Sequence, residues 1–445
     1  MDRRRPNVVF MTAHDIGRHL GCYGVPETGT DALDRLAAGG VRLSRFYGAS
    51  PQCSPARASL MTGLFPHTHG VIGIASHAFG FDLHPGVTHL SSYLARAGYV
   101  TALAGLQHET LRPADLPFDH VLAHHAAGVD VAASAASYLR DRAGPTTRHQ
   151  PFYLQIGFRE AHRPWHGTQP YADRGVNVPP WLADEPAARQ DLARFQGAIR
   201  ALDRAAGEIL DTLQQTGLAE NTLVVFAADH GIPYPRAKHS LYEPGCACAL
   251  LIRWPAAGWS RGQTHDALLS GVDLLPTLLD ATGIPAPTGL HGASFRPLLD
   301  GRSYTARTYL FTEQNFNAYP DVSRAIRDHR HKLIANFTPG RSFYDSTQLW
   351  HPPARVSFMA DQPRTQHPPV ELYDLAADPL EQHDLAAGPV HAATLTALAS
   401  RLHAWMQDTA DPLLQGIPEP PIYRRALDRL VLASRPLHRE TESTP

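Results

Sequence analysis

Short apolar runs constrain this chain most. Residues 8–13, 99–104, 152–157 and 223–228 are too short for ordinary helices and rich in apolar residues, so each predicts a buried strand, with a shorter candidate at 249–252. Between them lie stretches with helical spacing. Residues 31–39 place Leu33 and Leu36 on one face and end at Gly39-Gly40; residues 90–97 stop at Gly98. A long helix is predicted over 191–216, closed by Gly217, and another over 272–281, interrupted by Pro276. This alternation through about the first 300 residues predicts an α/β domain with a large mixed, mainly parallel sheet flanked by helices. Ligands of open α/β sheets bind beyond the carboxyl ends of the strands, so polar groups just after these runs are the candidates.

Near residue 300 the texture changes. Short β-type runs occupy 308–312 and 332–337, a stretch rich in Pro, Gln, Arg and His covers 338–370, and an amphipathic helix covers 392–405. We divide the chain into residues 1–302, the larger domain, and 303–445, a smaller α+β domain with an antiparallel sheet and one helix.

Polar clusters stand at the predicted strand ends. His14-Asp15 follows the first run, Asp229-His230-Gly231 follows the run at 223–228, and His162-Arg163-Pro164 comes shortly after that at 152–157. A lone Asp at such a point is often only a helix N-cap. Two such ends together with Cys53 make a cation site. Cys53 opens the stretch Cys53-Ser54-Pro55-Ala56-Arg57-Ala58-Ser59-Leu60-Met61-Thr62-Gly63. Pro55 stands where a first helical residue would, so Cys53 falls at a helix N-terminus, where free N–H groups and the dipole favour an anion. Arg57, one turn on, is a planar, permanently charged donor. A nucleophile beside an anion cradle is what sulfuryl or phosphoryl transfer requires.

The stretch resembles the signature of the type I sulfatases, C-x-P-x-R followed by A-S-L-x-T-G, and matches it in type and spacing. Resemblance runs from about residue 7 to about 406 and takes in Arg324-Ala325-Ile326-Arg327, Lys332-Leu333-Ile334 and Glu371-Leu372-Tyr373-Asp374-Leu375. Asp229-His230-Gly231-Ile232-Pro233 through Leu241-Tyr242-Glu243-Pro244-Gly245 looks closest to the heparan N-sulfatase (sulfamidase) branch. The resemblance implies an alkaline phosphatase-like fold. It implies that a formylglycine-generating enzyme oxidises Cys53 to formylglycine, whose hydrate is the nucleophile. A divalent ion, calcium in most of the family, would be held by Asp15, residue 53, Asp229 and His230. Arg57 and Lys238 would contact the sulfate, His162 would bind substrate and protonate the leaving group, and His108 would help to take the proton from the second hydroxyl. Arg236 and His239 stand close enough to Lys238 to be reserves.

Two positions depart from the family pattern. His14 replaces the first aspartate of the metal pair, and Leu106, in Gly105-Leu106-Gln107-His108, replaces the lysine that contacts sulfate. Imidazole suits Mn²⁺ or another soft ion better than calcium, so His14 either binds a softer ion or lies just outside the ligand shell. The exchanges remove one negative and one positive charge, which leaves the summed charge of the site little changed if His14 is neutral.

The formal net charge of −2 argues against a general nucleic-acid binder. The four cysteines, Cys22, Cys53, Cys246 and Cys248, are too few and too irregular for a disulfide framework; Cys246 and Cys248 read as buried strand residues. Residues 7–13 look too short for a secretory signal, and no segment is apolar and long enough to span a membrane, which predicts a cytoplasmic protein. The expected activity is hydrolysis of a sulfate ester or N-sulfate, of a sugar by preference. The alternatives are a phosphonate monoester or phosphodiester hydrolase of the same superfamily, whose members often carry Asp-His at the later metal pair, and a noncatalytic sulfated-glycan binding protein.

Overall fold

The computed structural model describes residues 5–123, 127–165, 167–316, 320–338 and 367–434, so most of the predicted 338–370 loop lies outside the described residues. The main sheet contains β1 (Asn7–Ala13), β2 (Val41–Leu43), β3 (Val100–Gly105), β4 (His120–Leu122), β5 (Phe152–Phe158), β6 (Thr222–Ala228), β7 (Leu250–Arg253) and β8 (Gln263–His265). They lie in the order β8-β2-β7-β6-β1-β5-β3-β4. Only β7 runs against its neighbours, β2 and β6; the other pairings are parallel. Strands covered on both faces read as continuous apolar runs, and β5 and β6 are buried along their whole lengths.

The main helices are α1 (Asp31–Ala38), α2 (Cys53–Thr62), α3 (Gly128–Arg142), α4 (Pro186–Gln215), α5 (Leu274–Thr282) and α6 (Ala392–Asp408). The helix expected at 90–97 is Leu90–Arg96. α4 packs against α1 and α3, and α2 packs against α5. Every residue of α2 is buried, as suits a helix enclosed within the domain.

Several expectations need correction. α2 begins at Cys53 itself, with Pro55 third. α4 starts at Pro186, earlier than the predicted 191, because proline is well suited to a first turn. Pro276 does not interrupt its helix: α5 begins at Leu274, so the missing N–H falls where no intrahelical partner is needed. Cys246 ends a helical turn, Glu243–Cys246, rather than lying in a strand; Cys248 does lie in one, and both are buried. α3 and a C-terminal helix, Pro421–Ser434, were not anticipated.

A second sheet is an antiparallel meander of β9 (Leu310–Phe316), β10 (Pro320–Arg327), β11 (His331–Asn336) and β12 (Val370–Asp374). Alternation along these strands sends side chains to opposite faces. Val322, Ile326, Leu333 and Leu372 pack with Leu398, Leu402, Trp405 and Met406 of α6. Leu310, Ala325, Ile334 and Tyr373 pack instead with Tyr47, Leu241, Tyr242 and Leu268 of the first domain.

Candidate active site

The order β6-β1-β5-β3 brings four parallel carboxyl ends side by side. Ala13 of β1 is level with Phe158 of β5 and Ala228 of β6, and Gly105 of β3 is level with Gly157 of β5. The segments that leave these ends carry His14-Asp15, His162, Asp229-His230 and His108. Asp15 takes a left-handed backbone conformation (φ 55°), one that Asp tolerates better than most residues. Its N–H donates to Asp229 Oδ1 at 3.0 Å.

The N-terminus of α2 completes the cluster. Cys53 is 1% exposed, and its Sγ lies 3.1 Å from His230 Nε2 and 3.9 Å from Asp15 Oδ1. Arg57 Nε donates to Asp229 Oδ2 and Nη1 to Thr12 Oγ1, both at 3.0 Å. Its Nη2 is buried without a hydrogen-bond partner, an unspent donor of the kind an oxyanion would occupy. Lys238 Nζ donates to Asp15 Oδ1 at 3.0 Å and Oδ2 at 2.8 Å. The His14 ring lies 5.2 Å from that of His162 and 5.8 Å from that of His108, centroid to centroid. Beside them opens a cavity of about 870 Å³ whose lining includes His14, Leu106, His108 and His162.

The residues fit a divalent cation. Donor atoms of His14, Asp15, Cys53, Asp229 and His230 all lie within 4.8 Å of one another, and all five residues are buried. His230 donates its Nδ1–H to the Gly231 carbonyl at 2.9 Å, which turns the Nε2 lone pair toward the cluster, as a ligating imidazole requires. His14 Nδ1 stands 3.1 Å from Asp229 Oδ2 and 3.5 Å from Asp15 Oδ1 yet aligns with neither as a hydrogen bond.

Charge within the cluster is strongly coupled. Burial and Arg57 oppose protonation of His14, but Asp229, the Cys53 thiolate and Asp15 outweigh them and raise it to about 10. Burial opposes the Cys53 thiolate too, yet Lys238, His230 and His14 bring it down to about 6. Asp229 stays far below the carboxylate range, since His230, His14 and Arg57 outweigh its burial. Burial, then Lys238, pushes His162 down to about 3, and burial with His14 and Arg57 holds His108 well below the usual imidazole range.

Comparison with known proteins fits this geometry. The sulfatase family model matches residues 6–284. The chain belongs to the sulfatase family. A second model, the C-terminal region of N-sulphoglucosamine sulphohydrolase, matches residues 236–368. The human N-sulphoglucosamine sulphohydrolase is 29% identical over 500 residues, spanning 98% of this chain and 96% of that protein. Among solved structures, a putative sulfatase from Bacteroides fragilis superposes with a TM-score of 0.76 at 21% identity, covering 94% of this chain and 99% of that one. The phosphonate monoester hydrolase of Agrobacterium radiobacter shares the fold, with a TM-score of 0.64 at 21% identity over 91% of this chain and 96% of that one.

This sulfatase-family site gathers every candidate named from sequence: Cys53, Arg57, His108, His162, Lys238, Asp15, Asp229, His230 and His14. Of the reserves, Arg236 is committed elsewhere. Arg236 donates to the carbonyls of Leu380 and Glu381 and lies 4.0 Å over the Tyr242 ring, and His239 lines a separate small cavity. Sequence reading assigned no role to the residues that brace the site. Arg163 forms a bidentate pair with Asp191 of α4 and stacks over Trp165 and Tyr234, while its carbonyl accepts Nδ1–H of His162. Glu109 accepts from the His108 backbone N–H at 2.9 Å and from Gln155 Nε2 at 3.2 Å, fixing the loop after β3. Glu109 adjoins His108, which is a local hint; Gln155, inside β5, and Asp191 offer none.

Proposed function

We propose that this chain hydrolyses a sulfate ester or N-sulfate, most suitably of a sugar, with residue 53 as nucleophile. One observation carries the reading: the Cys53 side chain, at the start of a buried helix, faces Asp15 and His230 inside a cluster of five cation-binding side chains. Oxidised to formylglycine by a maturation enzyme and hydrated, position 53 would offer one hydroxyl to attack sulfur and a second whose deprotonation expels sulfate. A divalent ion held by Asp15, residue 53, Asp229, His230 and, on the softer side, His14 would neutralise charge on the sulfate oxygens. Calcium is the ion the family resemblance implies, while two imidazoles suit Mn²⁺ or another softer ion.

The chain's own groups supply the rest. The free Nη2 of Arg57 and the ammonium of Lys238 bind nonbridging oxygens and stabilise the charge that builds on them. With Nδ1–H tied to the Arg163 carbonyl, His162 carries a transferable proton on Nε2 only as imidazolium, which an anionic ester beside it favours. His108, held neutral by burial and its cationic neighbours, accepts the proton of the second hydroxyl. The reading places the chemistry in residues 1–302, braced by 303–445. All four cysteines are free, which supports a cytoplasmic protein with reduced thiols. No described helix is long and apolar enough to cross a membrane.

His230, with its Nε2 turned into the cluster, gives the phosphonate or phosphodiester reading its one specific support. A single experiment separates the readings. Protein made in a host able to install formylglycine is digested, the Cys53 peptide is weighed by mass spectrometry, and the intact protein is assayed on N-sulfo sugars, sulfate esters and phosphodiesters. The expected result is aldehyde at residue 53 and turnover of a sulfated substrate. Turnover confined to phosphodiesters would transfer the assignment, and an unmodified, inactive thiol that still binds sulfated glycans would replace hydrolysis by binding.

A further inference from the structure

The cavity beside the histidines holds more charge than the reacting group needs. Its lining includes Arg159, Glu160, Arg163, Arg204 and Glu208. Most of these are already committed. Both oxygens of Glu160 accept backbone N–H groups, from Gly128 and Arg159. Arg163 is paired with Asp191 and stacked on two rings, and Arg159 has a partner of its own. Arg204 differs. It projects from α4 between Ala201 and Ala205, is exposed, and forms no hydrogen bond or ion pair among the described residues. Glu208, one turn along the same helix, is also exposed and lies beyond ion-pair distance. The two stand where this cavity meets a second one of about 480 Å³, whose lining they share. The wall also has an apolar part, with Leu106, Ala127 and Val129.

A guanidinium presents a planar pair of donors that matches a carboxylate or sulfate face to face. Left uncommitted at the outer end of a cavity whose inner end holds the reactive imidazoles, Arg204 is suited to a second anionic group on the same substrate. We propose that Arg204 is a specificity residue: it binds a second sulfate or a carboxylate on the leaving group, so the preferred substrate is a polyanionic sugar rather than a singly sulfated neutral one. Glu208 accepts hydroxyl hydrogen bonds beside it and disfavours a misplaced anion. The apolar stretch at Leu106 covers the face of the sugar ring between the two charges.

The inference rests on the sulfohydrolase reading, and its test keeps the two apart. Mature wild-type enzyme, Arg204→Gln and Arg204→Lys are compared on 4-nitrophenyl sulfate, on a sulfated sugar bearing a second sulfate, and on one bearing a carboxylate. For Arg204→Gln, KM for the matching dianionic sugar should rise about ten- to a hundred-fold with kcat little changed, as loss of a charge-assisted contact predicts. KM for 4-nitrophenyl sulfate should not move, and lysine should restore part of the loss. Which sugar responds identifies the second group as sulfate or carboxylate. Equal effects on all substrates, or none on either sugar, would overturn the proposal. If wild-type enzyme turns over nothing, the hydrolase reading fails, and calorimetric affinity for the same sugars then decides the Arg204 contact alone.

Discussion

Lys238 is the residue on which the site's charge balance turns. It is buried, and both its hydrogen bonds go to Asp15, beside Cys53. Burial opposes its charge, but Asp15 and the Cys53 thiolate hold its pKa above the ordinary lysine value, so it is cationic throughout the working range. Replacing it with methionine keeps the bulk and removes the charge. Lys238→Met should lower kcat/KM on a sulfated substrate about 100- to 1,000-fold, the usual effect of deleting one stabiliser of a developing oxyanion. Lys238→Arg should stay within about tenfold of wild type, because the charge and donors survive. Steady-state kinetics on the same substrate checks both. Residues of this kind could be read in sequence because each sits at a fixed offset from a strand end or within the Cys53 stretch. Asp191 could not: its pairing with Arg163 depends on how α4 is laid across the sheet, and no local pattern encodes that.

Elements rather than residues decide where His108 and Leu106 stand. At the end of β3 the chain turns over β5 so closely that a Cβ on Gly157 would lie 1.8 Å from the Leu106 carbonyl oxygen. Gly105, level with it, takes φ +77°, and the Leu106 N–H donates to the Gly157 carbonyl at 2.9 Å. Backbone on both sides leaves nothing to swing away, so Gly157→Ala should cost roughly 1–3 kcal/mol and displace the His108 loop. Urea unfolding should show a lower midpoint at unchanged slope, and activity should fall by more than the folded fraction does. The strands of this region were readable as continuous apolar runs, the mark of a sheet covered on both faces. α3 was harder to read, because Ala132, Ala135 and Ala136 dilute the buried face that Val131, Tyr138 and Leu139 mark, and small residues carry a helical period only faintly.

Across the whole molecule, a buried ion network ties the second sheet to the segment after α2 on one side and to the segment after α6 on the other. His67, beyond α2, pairs with Glu313 of β9, while Arg324 of β10 holds Asp411 through Nε at 2.6 Å and Nη2 at 2.9 Å. All four side chains are nearly or fully enclosed. Asp411→Ala would leave the Arg324 charge buried without its carboxylate, at a cost of about 3–5 kcal/mol, measurable as a lower denaturation midpoint. Glu313 gives the network an acid limit. Burial disfavours its charge, but His67 and Arg324 outweigh that and hold it at about 2 against an ordinary 4.5. Its depressed folded value means that its stabilisation is complete above 4.5 and is lost as pH falls toward 2. Unfolding curves from pH 6 down to about pH 2 should show this loss, and His67→Ala should narrow it by removing the main cause of the shift. None of these partners is near the other in sequence, so only the tertiary fold reveals them. The enclosure of Cys53 carries a consequence of another kind. A sulfur 1% open to solvent is out of reach of any protein-sized oxidant once the chain has folded. On the formylglycine reading proposed above, the enzyme that rebuilds that side chain must arrive while the polypeptide is still unfolded. On that reading competence is settled at synthesis, and a batch expressed in a host without the maturation enzyme should stay inactive however it is treated afterwards.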